Sequence, residues 1–327
     1  MTKKIHNALQ GQYTSFSKKA LKLYLKTNEM FSKYTHINHD LIIVHDPQPL
    51  PLINFYKKNR PWINRIHIDI SQPTPILEYL KKYIIKYDKI IISSEDYIMK
   101  DFPVDTSIIA PAINPYSLKN IDIKAEEIKK CLKTYNIPID KPIITQISRF
   151  DIWKNPKGVL KVFEKVKQKI DCRLILCGSM ASDDPEGILI YEDIKKEAKD
   201  WIKKGDVILT TIESDILVNS LQRISDVVIQ FSNKEGFGLT ITEAMLKSKP
   251  VIGTTVGGIP LQITDGKNGY LVSPGNIQQC ADKVIEILKN PKLARKIGEN
   301  ARKTVIGKFL IIRLLENYLD LMIDILK

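Results

Sequence analysis

Two glutamates around a glycine-rich turn form the pattern in this sequence with the most specific chemistry. Glu235 and Glu243 lie eight positions apart, and a Gly-Phe-Gly turn between them leads into a helix-like run. The backbone N–H groups of Gly238, Leu239 and Thr240 would then face an anion, because a helix start carries unpaired N–H groups. Glu243 could accept hydrogen bonds from a ribose diol, and Glu235 could hold sugar hydroxyls. The alternative is a plain loop with surface glutamates.

Two cations follow an apolar run at residues 143–147 and form the second element. Arg149 and Lys154 come directly after this predicted strand, where they could converge on a diphosphate. Breaking a sugar–phosphate bond develops negative charge on the leaving group, and fixed cations lower that barrier. Ordinary surface ion pairing is the alternative for both residues.

The second half of the chain alternates strand and helix patterns that would hold these residues. Apolar runs separated by helix-like segments predict a parallel, doubly wound sheet whose ligands bind at the carboxyl ends of the strands. Thr210 and Thr211 follow a predicted strand and are candidates for the wall of a nucleobase site. The predicted strands are 143–147, 173–178, 207–210, 227–230 and 250–253, and the predicted helices are 156–169 and 240–247.

The first part of the chain repeats this alternation less completely. Strand patterns occur at 41–44, 65–68, 89–92 and 107–109, which is a low number for a lobe of this kind. Prolines mark residues 114–141 as a linker, and residues 309–327 form a helix with one apolar face. We therefore predict a first lobe of residues 1–125 plus the helix 309–327, and a second lobe of residues 126–308.

Composition excludes several protein classes. The 327 residues suit two lobes, and no apolar run reaches the roughly 18 residues of a spanning helix. The net charge of +13 could indicate nucleic-acid binding, but the lysines are spread over almost every predicted helix among acidic residues. Four cysteines without metal-ligand spacing indicate free thiols in a reducing cytoplasm. We expect no nucleic acid, membrane or metal as a partner, and a homodimer is an open alternative.

Together, the two motifs resemble the donor site of retaining glycosyltransferases of family 4. Arg149 and Lys154 match the cation pair of that family, and Glu235 and Glu243 match its pair of glutamates. The resemblance continues through residues 257–260 and 265–272. It implies an α/β GT-B fold with two Rossmann-like, doubly wound, parallel-sheet lobes. It also implies a nucleotide-sugar donor held without a metal ion or other cofactor.

A narrower resemblance, to the trehalose glycosyltransferring synthases, comes mainly from the first lobe. Those enzymes join glucose from a nucleoside diphosphate glucose, such as UDP-glucose or ADP-glucose, to free glucose, and the α,α-trehalose-forming reaction is reversible. Leu261-Gln262-Ile263 belongs to the resemblance, at a place where many relatives carry Pro-Glu-Ile. The other matching segments are residues 4–11, 44–49, 67–71 and 180–187.

This resemblance assigns roles to four residues of the first lobe. His67 would contact the donor sugar near its reacting carbon. Asp46 would bind the acceptor glucose, with His45 and Gln48 nearby. Taken from the sequence alone, each histidine is more often a packed or capping residue.

The chain begins at a segment that resembles a later part of the family's first lobe, so we expect the first lobe to be incomplete.

Three alternatives to trehalose synthesis stay open. A trehalose phosphorylase would hold inorganic phosphate at Arg149 and Lys154. A truncated chain would bind a nucleotide sugar without turnover. A nucleic-acid protein would bind DNA in a salt-sensitive way.

Overall fold

The computed structural model describes residues 2–70, 73–99, 102–179 and 185–327. The chain forms two compact units, Met1–Pro111 with Leu314–Lys327, and Ala112–Arg313. We call them the first and the second lobe. Both boundaries differ from the predicted ones after residues 125 and 308. Ile113 explains both differences, because its N–H donates to Phe309 O at 2.9 Å and its carbonyl accepts from Ile311 N at 3.0 Å.

The strands and helices alternate along most of the chain. The strands are β1 Ile42–His45, β2 Trp62–Arg65, β3 Lys89–Ile92, β4 Asp105–Ile108, β5 Ile143–Ile147, β6 Arg173–Cys177, β7 Val207–Thr210, β8 Val227–Gln230, β9 Val251–Thr254 and β10 Tyr270–Val272. The helices are α1 Thr2–Leu9, α2 Lys18–Tyr34, α3 Pro75–Ile84, α4 Ala125–Thr134, α5 Pro156–Lys167, α6 Pro185–Glu197, α7 Lys199–Lys203, α8 Asp215–Ile224, α9 Leu239–Leu246, α10 Ile259–Gln262, α11 Ile277–Lys289, α12 Pro291–Lys308 and α13 Ile311–Leu326. Short 3-10 helices lie at Leu50–Asn54 and Glu95–Tyr97.

The sheet of the first lobe runs β1-β2-β3-β4, with all strand pairs parallel. One face packs Val44, Trp62 and Ile90 into the core that α1 and α3 share. The other face packs Ile63 and Ile91 against α13. Strands covered on both faces read as continuous apolar runs, which is why three of the four were visible in the sequence near their observed positions.

The prediction for β2 was wrong by three residues, since the strand is Trp62–Arg65 rather than 65–68. The sequence Arg65-Ile66-His67-Ile68 alternates polar and apolar residues, as a half-buried strand does. Arg65 is nevertheless fully buried, and its guanidinium donates to Ile92 O and to Ser93 Oγ at 3.0 and 3.1 Å. A charged residue that is buried and hydrogen-bonded inside the sheet therefore shifted the predicted strand bounds. A smaller difference is β4, which begins at Asp105 rather than 107.

The predicted linker at 114–141 was also wrong. This segment contains α4, whose Leu132 packs with Leu217 and Leu221 of α8 in a buried cluster. Ile137, after the helix, joins the same cluster. Prolines mark turns around α4 here rather than a flexible connection.

The second lobe has a six-stranded parallel sheet in the order β10-β9-β8-β5-β6-β7. Its apolar core packs α5 and α11 on one side, through residues such as Phe163 and Val284. Leu217 and Leu221 pack on the other side. Strand order reverses between β5 and β8, which are neighbours in the sheet although α5–α8 separate them in sequence. Ligands of such sheets bind at the carboxyl ends of the strands at this reversal.

The α/β prediction of two parallel sheets with helices on both faces is confirmed. No helix in the described part of the chain is long and apolar enough to cross a membrane. Residues 180–184 and Ser71, which carry part of the narrower resemblance, lie outside the described residues.

Candidate active site

The loop after β5 places the two predicted cations. Asp151 is buried, and its Oδ1 accepts the N–H of Lys154 at 2.9 Å while Oδ2 pairs with Arg149 at 3.0 Å. Asn155 then caps α5 by accepting from Gly158 N at 3.1 Å. The Arg149 side chain is 51% exposed and that of Lys154 only 16%. Arg149 therefore reaches solvent, whereas Lys154 points into the protein.

Lys154 meets Glu235 at the point where the strand order reverses. The ammonium nitrogen lies 2.5 Å from Glu235 Oε2, and the carboxylate side chain is 8% exposed. The same oxygen accepts from Gln230 Nε2 at 3.2 Å and from Ser232 Oγ at 3.3 Å. A buried ion pair needs such additional hydrogen bonds because desolvating two charges is costly. The structure thus joins one predicted cation and one predicted glutamate in a single polar cluster.

The turn between the two glutamates ends at Gly238, which precedes the first residue of α9. Gly238 has φ +86°, a left-handed conformation that glycine adopts without the strain a Cβ brings. Among the residues that the structure describes, no side-chain cap hydrogen bond is made at this start of α9. Leu239 is 41% exposed and Thr240 is half-buried. The start of α9 can therefore present N–H groups and its positive dipole end to an anion.

Glu243 lies one turn into α9 and is buried. Its Oε2 accepts from Gln222 Nε2 at 3.3 Å. Burial raises the pKa of this carboxyl, while the nearby Lys247 ammonium opposes the shift. Lys247 donates to Asn120 Oδ1 at 3.0 Å, and burial lowers its pKa to about 7. Glu243 is therefore a fixed acceptor on the same helix that begins at Gly238.

Thr210 lies apart from this cluster. It ends β7, the edge strand, and β6 separates it from β5. Its carbonyl accepts from Gly178 N at 3.0 Å, and its Oγ1 accepts from Ile212 N at 3.4 Å. Among the described residues, no hydrogen bond joins Thr210 to the Lys154–Glu235 cluster. The structure does not bring it together with the predicted donor residues, and its role at a nucleobase stays a prediction.

The first lobe brings its predicted residues together at the ends of β1 and β2. His45 Nδ1 lies 2.9 Å from His67 Nε2, and the two rings stack at a centroid distance of 5.2 Å. Asp46 Oδ1 accepts the backbone N–H of His67 at 2.9 Å. Asp46 holds φ +63°, unusual for a residue with a side chain. Both histidines are exposed, so this group faces solvent.

The surroundings of His67 shift the pKa of its imidazole. Partial desolvation lowers this pKa, the Asp46 carboxylate opposes the shift, and Arg65 adds to it. In the hydrogen bond between the two rings, one ring nitrogen donates and the other accepts. Gln48 is held through its carbonyl, which accepts from Asn28 Nδ2 at 3.2 Å. Its side chain is half-buried.

Buried glutamines are the site residues that sequence reasoning missed. Gln146 and Gln230 are 1% exposed, at or near the carboxyl ends of β5 and β8, and both bond to the loops described above. A single amide near the end of an apolar strand was the available signal. Buried amides are expensive unless they are hydrogen-bonded, so such a residue points to a fixed polar partner.

The described residues contain no group of three or more His, Cys, Asp or Glu side chains that could hold a metal ion. The chemistry that the site offers consists of fixed cations, N–H groups at a helix start and buried carboxylates. This set can bind a polyanion at Lys154 and the start of α9, and hydroxyl groups at Glu235 and Glu243. That the protein needs no cofactor stays a prediction.

Two family models match the chain. The family described as "Glycosyl transferases group 1" matches residues 127–304, and "Trehalose synthase, N-terminal domain" matches residues 1–99. The first match contains the Lys154–Glu235 cluster and α9. The second contains the histidine group.

Individual proteins give the same picture. A trehalose synthase from Thermococcus litoralis is 42% identical, over 98% of this chain and 79% of the relative. A trehalose synthase from Rubrobacter xylanophilus is 35% identical, over 100% of this chain and 80% of the relative. The solved structure of a sucrose-phosphate synthase from Thermosynechococcus elongatus matches with a TM-score of 0.78 at 22% identity, over 96% of this chain and 81% of that one. The structural likeness shows the GT-B fold.

Proposed function

The chain belongs to the trehalose synthase family of group 1 glycosyltransferases, and from this premise we propose that it transfers glucose from a nucleoside diphosphate glucose to free glucose. The product is α,α-trehalose, and the transfer is reversible. The observation that carries this proposal is the Lys154–Glu235 cluster at the strand-order reversal. A cation and a carboxylate at that place suit a ligand that combines phosphate with sugar hydroxyls.

The second lobe holds the donor in this proposal. Arg149, Lys154 and the start of α9 bind the diphosphate, Glu243 accepts from the ribose, and Glu235 accepts from hydroxyls of the glucose. The ammonium of Lys154 already has a fixed position through Glu235. A preorganised cation stabilises the charge that develops on the leaving diphosphate without further reorganisation. No metal is needed for this neutralisation.

The first lobe serves the acceptor and the reacting carbon. Following the family resemblance, we assign His67 to the donor sugar near carbon 1 and Asp46 to the acceptor glucose, with His45 and Gln48 as its neighbours. Transfer proceeds with retention. The bond from carbon 1 to the diphosphate breaks while an acceptor hydroxyl attacks from the same face, through an oxocarbenium-like state. The leaving phosphate takes the acceptor proton. Because the acceptor attacks carbon 1 directly, no protein residue forms a covalent bond to the sugar.

Product identification tests this function. The purified chain is incubated with UDP-glucose or ADP-glucose and glucose, and the products are separated and identified. The wild-type chain is expected to form trehalose and free nucleoside diphosphate, and the variant Glu235→Gln to form them about a thousandfold more slowly. Glu126→Gln, on an exposed face of α4, is the matched control and retains activity.

Each other outcome selects a different function. Glucose 1-phosphate from trehalose and inorganic phosphate, without any nucleotide requirement, would identify a phosphorylase. Nucleotide binding without any transfer would identify a non-catalytic binder. A cytoplasmic location and a homodimer stay predictions, which cell fractionation and sedimentation would test.

A further inference from the structure

Four fully buried glutamines surround the donor motif. Gln146, Gln222, Gln230 and Gln262 are each at most 1% exposed, although glutamine is mostly a surface residue. We propose that these four residues, here called the glutamine shell, are positioning residues that set the two glutamates independently. Gln230 sets Glu235 and Gln222 sets Glu243. The inference rests on the proposed function for the roles of the glutamates, and on the hydrogen bonds below for the positioning.

Gln230 links the first glutamate to the start of α9. Its Nε2 donates to Glu235 Oε2 at 3.2 Å and to Ser232 Oγ at 3.0 Å. Its Oε1 accepts from Thr240 Oγ1 at 3.3 Å. One side chain therefore connects the carboxylate of Glu235 and the hydroxyl of Thr240 to the end of β8. The hydrogen bond from Gln230 is a direct connection from β8 to the carboxylate of Glu235, and Ser232 Oγ adds a second bond to the same oxygen.

Gln146 joins the two loops that leave the strand-order reversal. Its Oε1 accepts the N–H of Phe231 after β8 at 3.0 Å. Its Nε2 donates to the carbonyl of Lys154 after β5 at 3.0 Å. An amide has a donor and an acceptor on one rigid plane, so a single side chain can span both loops.

Gln262 holds the glycine-rich turn from its other side. Its Oε1 accepts from Thr242 Oγ1 at 2.6 Å, and its Nε2 donates to Phe237 O at 2.5 Å and to Gly258 O at 3.3 Å. Hydrogen bonds thus connect the turn and its flanking residues to β8 through Gln230 and to α10 through Gln262. This gives a structural reason for the glutamine in the Leu-Gln-Ile sequence noted above.

Gln222 supports the second glutamate and is hard to explain by stability alone. Its Nε2 donates to Glu243 Oε2 and to Thr240 O, both at 3.3 Å. Its Oε1 is buried with no hydrogen-bond partner among the described residues. A buried, unsatisfied acceptor costs free energy that a leucine would not. A glutamine at this position is therefore best explained by the hydrogen bond that it gives to Glu243.

The side chains of the glutamine shell are uncharged, which suits a ligand that carries a negatively charged diphosphate. A carboxylate could copy only the acceptor half of these contacts, and it would add negative charge beside a bound diphosphate. Like charges at such short distances in a poorly solvated site repel strongly. An amide positions a carboxylate through its N–H group without adding charge, so the nearby cations remain available to bind the phosphates.

Two variants that serve as controls for each other test the proposal. Gln230→Leu is expected to lower kcat about tenfold to a hundredfold, with the Kd for UDP or ADP unchanged within about twofold, since a hydrogen bond to a charged group is lost at the sugar side. Gln222→Leu is expected to raise the Kd for UDP or ADP about tenfold, with kcat nearly unchanged. Calorimetry gives the Kd, and initial rates give kcat and KM.

A third variant controls for loss of a buried polar group as such. Thr145→Val lies on β5 beside Gln146, is fully buried, and removes the acceptor of Ser225 Oγ at 2.7 Å without touching either loop. It is expected to leave Kd and kcat unchanged. Independent positioning is wrong if Gln230→Leu and Gln222→Leu each change both Kd and kcat. It is also wrong if the two variants leave both constants unchanged.

Failure of the proposed function can be told apart from failure of the shell. A wild-type chain that transfers no glucose contradicts the function. In that case the free energy of unfolding is measured for Gln230→Leu, Glu235→Gln and the double variant. A clearly non-additive cycle supports the hydrogen bond between them, and an additive cycle overturns the positioning role whatever the activity.

Discussion

The two lobes bring chemical groups together at strand ends in different ways. In the second lobe, Lys154 and Glu235 follow β5 and β8, strands that are adjacent although distant in sequence. In the first lobe, His45 and His67 follow β1 and β2, which are consecutive in sequence and in the sheet. The Lys154–Glu235 pair of the second lobe is largely buried, whereas the two histidines of the first lobe are exposed.

This difference shows what a strand-order reversal provides. Loops at a reversal leave in opposite directions, so a crevice opens whose walls can be lined with buried polar groups. The second lobe fills those walls with a hydrogen-bonded network around Glu235. The histidine group has one hydrogen bond between its rings and one to Asp46. We therefore expect the second lobe to contribute fixed electrostatics, and the first lobe to contribute groups that adjust to the acceptor.

The largest expected effect is that of Glu235→Gln in the second lobe. The change keeps the shape of the side chain but removes the charge that pairs with Lys154 at 2.5 Å. We expect kcat to fall about a thousandfold, as when a preorganised electrostatic group is removed from an enzyme site. Initial rates of trehalose formation measure it. A fall of less than tenfold would mean that the buried cluster is structural only.

His67→Ala tests the first lobe and is expected to have a smaller effect. Loss of a positioned imidazole typically costs about a hundredfold in rate, and an exposed group can be replaced in part by water. The same assay measures it. The matched control is His39→Ala, which removes an exposed imidazole on the same lobe. Equal losses in both variants, or a loss larger than that of Glu235→Gln, would reverse the comparison.

Gly238→Ala is expected to have an intermediate effect on binding. A Cβ there meets Glu235 Cγ only at 3.4 Å, so the cost comes from φ +86° rather than from a clash. We expect a loss of about 1 kcal/mol in the free energy of unfolding and about tenfold weaker UDP or ADP binding. Denaturant unfolding and calorimetry measure these.

Gly266→Ala is the control for this prediction, since it has φ +71° and open space around the added Cβ. It should lose similar stability without loss of binding. Unchanged binding in Gly238→Ala would show that the start of α9 does not face the phosphates.

The smallest expected effect concerns Lys247, which burial keeps at a pKa of about 7 against 10.5 as the ordinary value. Between these values the unfolded chain holds a proton that the folded chain has released. Stability therefore rises with pH in this window. The free energy of unfolding is measured from pH 7 to 10. Lys247→Met should reduce its slope against pH by up to the equivalent of one bound proton. Lys26→Met, an exposed change in the first lobe, should leave the slope unchanged. Identical slopes in wild type and Lys247→Met would contradict the burial effect.

Sequence reasoning succeeded where burial and chemistry coincide. The five strands predicted for the second lobe were all found close to their observed bounds, because each is apolar on both faces. That Lys154 and Glu235 lie near each other followed from the rule that strand ends meet at one sheet edge, but their direct ion pair was not predicted. The sequence could not show that Lys154 would be buried and Arg149 exposed. That depends on Asp151, which turns the loop between them.

Two of the errors share one physical cause, which is polar residues that are buried and hydrogen-bonded inside the protein. Arg65 was read as the start of a half-buried strand, although its guanidinium is bonded within the sheet. Gln146 and Gln230 passed unnoticed although they bond the loops of the donor cluster. Partners of this kind are distant in sequence, so no local pattern reveals them.

The return of α13 to the first sheet has a consequence for synthesis on the ribosome. Leu321 packs against Ile63 and Ile91, so one face of that sheet gains its cover only when the last residues have emerged. The second lobe, by contrast, has all of its residues by Arg313. Since domains generally fold as units during translation, the later-translated lobe should reach its native state first, while the N-terminal sheet waits with apolar surface that chaperones can bind.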